Sequence, residues 1–210
     1  MEGRNRKLNR WQGYDYSQSG LYFVTINTWN RVEWFGRVEN EKMILNEYGK
    51  IARNCWLDLP NHYYNCLLDE FVIMPNHIHG IVAIDNARRR ERSVTVPPAE
   101  RPVTQNDVIA PTNPPGADRN GLKPFPTGNR NDTNHRLSEI VRGFKTFSSK
   151  YINKIQSQYI TDRFHWQKSF HDRVIRDDDE LNRIRIYITN NSSQWQFDRN
   201  NLKPGTGVAI

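Results

Sequence analysis

The sequence has few cysteines and no long apolar run. Its only cysteines, Cys55 and Cys66, are too few for a disulfide framework, and their apolar neighbours predict buried free thiols. No stretch approaches the roughly 18 apolar residues that a membrane span needs. The polar, basic residues 1–10 also lack the apolar core of a signal peptide. These absences exclude a disulfide-stapled scaffold and a membrane-spanning protein, and they predict a cytoplasmic protein with no membrane partner.

The charge balance is strongly basic. Lysine and arginine number 30 against 23 acidic residues, which gives a formal net charge of +7. An excess of this kind is typical of proteins that bind nucleic acid, although basic proteins also bind acidic membranes. The mean hydropathy of −0.84 indicates in addition that part of the 210-residue chain is solvated and loosely folded.

The composition changes abruptly between residues 86 and 135. Proline, glycine and asparagine become frequent there, an arginine-rich run opens the segment at Arg88, and no apolar period survives. This composition predicts a disordered insertion. The chain then divides into an N-terminal half with a basic arm at 1–85, the insertion at 86–135, a C-terminal half of the same domain at 136–200, and a tail at 201–210.

Apolar periodicity on either side of the insertion predicts strands and helices in mixed order. The predicted elements are a strand at 21–28, a helix at 44–59 ended by Pro60, two strands within 66–84 joined by a turn at Pro75-Asn76, a helix at 137–155, an extended segment at 164–176, and a helix opened by the acidic run 177–180. Such an order predicts an α+β fold, in which helices pack on one face of an antiparallel sheet.

The tripeptide His77-Ile78-His79 is the first candidate for chemistry. Alternate residues of a strand face the same side, so both imidazoles are expected to point one way and Ile78 into the core. Two adjacent imidazoles form half of a site for a divalent metal. The alternative, one core histidine and one surface histidine, is the commoner outcome for a bare pair of this spacing, and the sequence alone leaves it open.

A second pair lies on the last predicted helix. Tyr187 and Asn191 are four residues apart and therefore share a helix face. Asn191 offers an amide oxygen suited to a hard cation, and Tyr187 offers a phenol that becomes a nucleophile once it is activated. On spacing alone, a tyrosine in an amphipathic helix is more often a packing residue.

Longer motifs carry a family resemblance. The segment Met74-Pro-Asn-His-Ile-His-Gly-Ile81 resembles the His-hydrophobic-His signature of the HUH endonucleases. The surrounding text resembles the REP-associated tyrosine transposases, domesticated relatives of the single-tyrosine transposases of bacterial insertion sequences. The resemblance covers most of residues 8–85 and 136–197, and it includes the segments at 13–17, 21–25, 45–50, 69–80, 169–175 and 187–191 and Trp195.

The resemblance implies a ferredoxin-like fold and a metal-dependent reaction on single-stranded, hairpin-forming DNA. Tyr187 would attack a phosphate, form a 5′-phosphotyrosine link and free a 3′-hydroxyl, which a later strand transfer can use to join new ends. His77, His79 and Asn191 would bind Mg²⁺ or Mn²⁺. No small-molecule substrate is expected, and the protein would act as a monomer or a homodimer. One departure is that Ser192 follows Asn191 where the family often has proline, which leaves the end of the helix uncertain.

Two groups of cations are candidates for DNA binding. The N-terminal group is Arg4, Arg6, Lys7 and Arg10, and the second, on the predicted helix at 137–155, is Arg142, Lys145 and Lys150. Taken singly, each of these is as readily explained as an ordinary solvated charge.

Three other functions fit parts of the pattern. A module that recognises DNA hairpins but no longer cleaves them is the main alternative, and the complete set of His77, His79, Tyr187 and Asn191 argues against it. A metal-dependent hydrolase, with water as the nucleophile, would cleave without a covalent adduct. A simple single-stranded-DNA-binding protein would need no metal.

Overall fold

The computed structural model of the chain describes residues 15–16, 18–88, 134–156 and 162–201. Strands and helices alternate along these ranges, with short 3-10 turns at Trp29–Arg31 and Trp195–Phe197. The elements are β1 Gly20–Asn27, β2 Gly36–Glu39, β3 Lys42–Leu45, α1 Glu47–Leu57, α2 Leu59–His62, β4 Cys66–Met74, β5 His77–Ile84, α3 Leu137–Ile155, β6 His171–Ile175 and α4 Asp178–Thr189.

Four of the strands form one antiparallel sheet in the order β4-β5-β1-β6. Together with α1 and α3 they follow the β-α-β-β-α-β order of a ferredoxin-like fold. The predicted α+β class with an antiparallel sheet is therefore confirmed. The centre of the sheet is the β1–β5 pair, and its register sets Asn27 opposite His77 and Thr25 opposite His79.

Helices cover both faces of this sheet. Side chains of α1 and α3 join the even-numbered residues of β1, such as Tyr22 and Val24, in the larger core. Leu181, Ile184 and Ile188 of α4 form a second core with Ile81 and Ile175 on the opposite face. The expectation of helices on one face describes α1 and α3, and α4 is the exception because its apolar side packs on the odd-numbered side chains of β1, β5 and β6.

Local signals set the two elements that carry the candidate residues. The β4–β5 hairpin turns at Pro75-Asn76, as predicted, between Met74 and His77. Helix α4 begins after Asp177, whose carboxylate accepts a hydrogen bond from the backbone N–H of Glu180 at 2.7 Å. The acidic run thus opens the helix, as expected from the helix dipole.

The region before α1 differs from the prediction. Ile44 belongs to strand β3 of a separate β2–β3 hairpin, and α1 starts only after Asn46, whose side chain accepts from Gly49 N. Pro60 lies in the first turn of the short α2 instead of ending α1. The helix predicted at 44–59 was therefore too long at both ends.

Several predictions concern residues outside the described ranges. Residues 1–14, most of the insertion (89–133) and the tail from 202 onward lie there.

Cys55 and Cys66 are buried free thiols, as predicted, and burial raises the pKa of each to about 12. Across the described part of the chain, no helix combines the length and apolarity of a membrane span.

Candidate functional site

The two histidines of β5 lie side by side on the face that α4 covers. His77 is 0% exposed and His79 is 1% exposed, and their ring centroids are 4.4 Å apart. Ile78, between them, lies in the larger core on the opposite face. The strand alternation therefore brings both imidazoles to one place, and the alternative of one core and one surface histidine is excluded.

Hydrogen bonds fix the orientation of both rings. His77 Nδ1 lies 2.9 Å from Asn76 Oδ1, and the Asn76 amide nitrogen donates to two backbone carbonyls. Asn76 Oδ1 can therefore only accept, so His77 Nδ1 carries the ring proton and Nε2 has a free lone pair. His79 Nδ1 lies 2.8 Å from Thr25 Oγ1, which holds that ring from its other side. Second-side bonds of this kind are what metal-binding histidines use to set their tautomer.

Tyr187 meets this pair from α4. Its hydroxyl is 3.2 Å from His79 Nε2, and its ring lies edge-on to that imidazole with centroids 5.2 Å apart. Phe23 of β1 stacks on His79 and contacts the edge of the Tyr187 ring. The hydroxyl thus contacts a buried imidazole. The residue as a whole is 46% exposed, so the side chain remains accessible to a large substrate.

Asn191 lies just after the end of α4, which closes at Thr189 with Asn190 as its C-cap. It is 2% exposed, its side chain hydrogen-bonds the Tyr187 side chain, and its Oδ1 has no hydrogen-bond partner among the described residues. With Ser192 after it, Asn191 therefore lies at the site, although outside the regular helix.

Asp198 reaches the site from the turn that follows α4. Its Oδ2 lies 3.9 Å from His77 Nε2, a nitrogen that has no hydrogen-bond partner within the described ranges. One ligand atom from each of Asp198, His77 and His79 lies within 4.8 Å of the other two. Such a group of imidazole nitrogens and a carboxylate oxygen could hold a divalent cation.

The environment keeps both histidines neutral. Burial lowers the pKa of His77 to about 3, and the positive charges of Arg31 and Arg199 act in the same direction. Burial also lowers the pKa of His79 well below its ordinary value, which Asp198 only partly opposes. Neutral imidazoles are the form that binds metals, so the site is ready to bind a cation without first losing protons.

The phenol is held in its protonated form. Burial raises the pKa of Tyr187 above its ordinary value, and the negative charge of Asp198 adds to the shift. The hydrogen bond from Asn191 and the charge of Arg199 act against it. A cation held by Asp198 would offset the unfavourable effect of the carboxylate charge on the phenolate.

The candidate cations on α3 lie apart from this cluster, since α3 packs on the other face of the sheet. Arg142 and Lys150 are exposed there. The Lys145 ammonium instead donates to the carbonyls of residues 167, 168 and 169 at 2.9, 3.3 and 2.9 Å. Lys145 therefore fixes the loop before β6. The N-terminal candidates Arg4, Arg6, Lys7 and Arg10 lie outside the described residues.

Three residues of the site were not found from the sequence. Asn76 was interpreted only as a turn residue, and Thr25 only as part of a strand. Thr25 could have been found by pairing the strands, because it lies directly opposite His79. Asp198 has no local signal, since it lies beyond the last predicted helix in a segment without apolar period.

Comparison with known proteins gives a limited result. No protein-family model matches the chain. A protein of Haemophilus influenzae whose function is uncharacterized is 29% identical over 195 residues, which span 93% of this chain and 92% of the relative. A solved structure of a REP-associated tyrosine transposase bound to a REP hairpin superposes with a TM-score of 0.48 at 14% identity, covering 95% of this chain and 77% of that one. At this level of similarity, the function of the chain has to be inferred from its own residues.

Proposed function

We propose that the chain is a metal-dependent single-stranded DNA nicking and joining enzyme of the single-tyrosine transposase type, with Tyr187 as its nucleophile. The observation that carries the proposal is the contact of the Tyr187 hydroxyl with His79 Nε2, beside a second buried imidazole that has a free lone pair. A tyrosine that serves only for packing would not need its hydroxyl placed against one buried imidazole with a second beside it. The DNA substrate, with its hairpin, follows from the sequence resemblance and from the net charge of +7.

The donor set fits a divalent cation. His77 Nε2 and the buried Asn191 Oδ1 have no hydrogen-bond partner among the described residues, and His79 offers an Nε2 whose neighbour is the Tyr187 hydroxyl. These three would hold Mg²⁺ or Mn²⁺, and the imidazole nitrogens favour Mn²⁺ as the assay ion. When bound, such an ion supplies polarisation of the phosphate oxygens and stabilises the charge that develops on them.

The chain's own groups account for the bond changes. The Tyr187 oxygen forms a bond to phosphorus, and the bond from phosphorus to the preceding nucleotide's 3′-oxygen breaks. The phenol proton is lost to solvent, to which the half-exposed side chain is open, and the 3′-oxygen leaves as a hydroxyl after taking up a proton. Asn191, as a donor to the phenol oxygen, lowers its pKa and favours the attacking form. The reverse step, with another 3′-hydroxyl, joins a new strand and regenerates Tyr187.

Arg31 and Arg199 provide positive charge beside the cluster. Both lower the pKa of His77 through space, and the Arg31 guanidinium donates to the Arg199 carbonyl at 3.1 Å. We expect them to hold the phosphates next to the cleaved bond. The contributions of Arg142, Lys150 and the N-terminal cations to holding DNA farther from this bond remain predictions.

The test is an adduct assay with hairpin-forming single-stranded DNA from repeats that flank the gene, in Mn²⁺. Each oligonucleotide is labelled either at its 3′ end or at its 5′ end. A 5′-phosphotyrosine link keeps the 3′-labelled fragment on the protein and releases the 5′-labelled fragment. The adduct should survive denaturing gels, disappear after protease treatment and be absent in Tyr187→Phe. Tyr48→Phe, on α1 at the other face of the sheet, is the matched control.

Two outcomes would contradict the proposal. Cleavage that survives Tyr187→Phe without any adduct would assign the reaction to water. Tight binding with no cleavage of any flanking repeat would favour a hairpin-binding module.

A further inference from the structure

We infer that Asp198 is a further metal ligand, which supplies the negative charge of the site from the segment after α4. The inference rests on the proposed function, since it concerns the cation that His77, His79 and Asn191 would hold. It adds a fourth residue, from a part of the chain that neither the histidine motif nor the tyrosine helix includes.

The charge balance of the site favours such a ligand. The imidazoles of His77 and His79 and the amide of Asn191 are all neutral donors, and all three residues are nearly completely buried. A divalent cation that loses its water to neutral ligands alone, in a buried position, is strongly disfavoured. The nearby charges of Arg31 and Arg199 would repel it further. The carboxylate of Asp198, whose side chain is 6% exposed, offsets these costs.

The spacing of the atoms supports the same conclusion. Asp198 Oδ2 and His77 Nε2 are 3.9 Å apart, too far for a hydrogen bond. The proton of the His77 ring lies on Nδ1, where it bonds Asn76, so Nε2 and the carboxylate oxygen 3.9 Å from it are both acceptors without a proton between them. A cation shared by the two atoms would offset their mutual repulsion. Ligands bonded at about 2.1 Å to one ion lie roughly 3 to 4.2 Å apart, a range that includes this distance.

The position of Asp198 is built into the fold. Its Oδ1 accepts from the backbone N–H of Asn200 at 2.6 Å, and the Asn200 carbonyl accepts from the Asn76 amide at 2.8 Å. The same Asn76 side chain orients His77. Asn76 therefore fixes the position of the His77 imidazole relative to the segment that carries Asp198. Metal ligands commonly have hydrogen-bond support of this kind.

The experiment is a Mn²⁺ titration of the full-length metal-free protein without DNA, followed through the loss of the electron paramagnetic resonance signal of free Mn²⁺. Asp198→Asn keeps an oxygen that can accept from Asn200 N and removes only the charge. Its dissociation constant for Mn²⁺ should rise by about tenfold or more. Asp85→Asn, at the far end of β5, removes the same charge and should leave the constant unchanged.

A second pair of variants separates the effect of charge on Mn²⁺ binding from any effect of the substitution on folding. Asp198→Glu and Asp198→Gln have the same shape and differ only in charge, so the glutamate form should bind Mn²⁺ more tightly if the carboxylate is a ligand. Equal constants for that pair, or Asp198→Asn binding within about twofold of wild type, would overturn the inference.

His77→Ala separates this inference from the proposed function. If His77→Ala no longer binds Mn²⁺ and Asp198→Asn still binds it, the proposed metal site is supported and the role of Asp198 as a ligand is rejected. If the wild-type protein binds no Mn²⁺, both fall.

Discussion

Gly80 follows the histidine pair directly, and the structure gives a physical reason for a residue without a side chain there. Gly80 lies in the middle of β5, paired with Val24 on one side and Phe71 on the other. A Cβ at this position would lie 2.4 Å from Cζ2 of Trp56, 3.1 Å from Cε2 of the same ring, and 3.2 Å from Cβ of Phe71. Trp56 is fully buried and packs edge-on against Phe144, so it has little room to move.

The cost of Gly80→Ala follows from these distances. The contact with Trp56 is about 1 Å shorter than an ordinary carbon–carbon contact, and overpacking of this kind costs typically 1–3 kcal/mol. We take the upper end, about 3 kcal/mol, because the strand is central and the ring is confined. Replacing glycine stabilises the folded state by up to about 1 kcal/mol through the unfolded chain, which leaves a net loss of about 2 kcal/mol.

The measurement is urea denaturation followed by far-ultraviolet circular dichroism. Gly20→Ala, in β1, is the control, because its nearest contact would be an ordinary 3.6 Å to the Tyr22 hydroxyl. In a Trp56→Phe background, which lacks the Cζ2 atom, Gly80→Ala should cost at least about 1 kcal/mol less than in wild type. An unchanged unfolding free energy for Gly80→Ala, or the same cost in both backgrounds, would refute this reasoning.

Three further predictions concern pH and the helix that carries the tyrosine. The pKa of His77 lies at about 3 in the folded chain, below its ordinary value, so in EDTA the unfolded chain binds an extra proton from about pH 6.5 down to 3. The unfolding free energy should therefore fall as pH drops through this window, by about 1.4 kcal/mol per unit from His77 alone, and His77→Gln should show a shallower slope. Arg185 of α4 pairs with Asp69 of β4 through two hydrogen bonds, and Arg185→Lys should cost only about 0.5–1 kcal/mol in thermal melts because the pair is partly exposed. Tyr187→Phe should cost about 1 kcal/mol, since it removes one hydrogen bond of a half-exposed side chain, and a clearly larger loss would make the variant unsuitable for the adduct assay.

Local patterns predicted those parts of the site that lie within one element. Strand alternation was enough to place His77 and His79 on one side. The four-residue step pointed to Asn191, although α4 ends at Thr189 and Asn191 reaches Tyr187 from the turn that follows. The β2–β3 hairpin was not predicted because its turn residues, Asn40 and Glu41, both adopt positive φ without a glycine. The periodicity of α4 predicts which side of the helix is apolar. It does not predict which face of the sheet that side packs on.

Asp198 shows why the rest of the site depends on tertiary structure. Its segment has no regular element, and the contact that places it is the bond from Asn76 to the Asn200 carbonyl, across 124 residues of sequence. Asn76 also donates to the Arg31 carbonyl and accepts from His77. A residue suited to a hairpin turn therefore also ties two distant segments, at Arg31 and Asn200, to the neighbouring imidazole. Because one buried amide makes all three bonds, the orientation of His77 and the approach of Asp198 are coupled, and the proposed cation site would form only when the whole domain is folded.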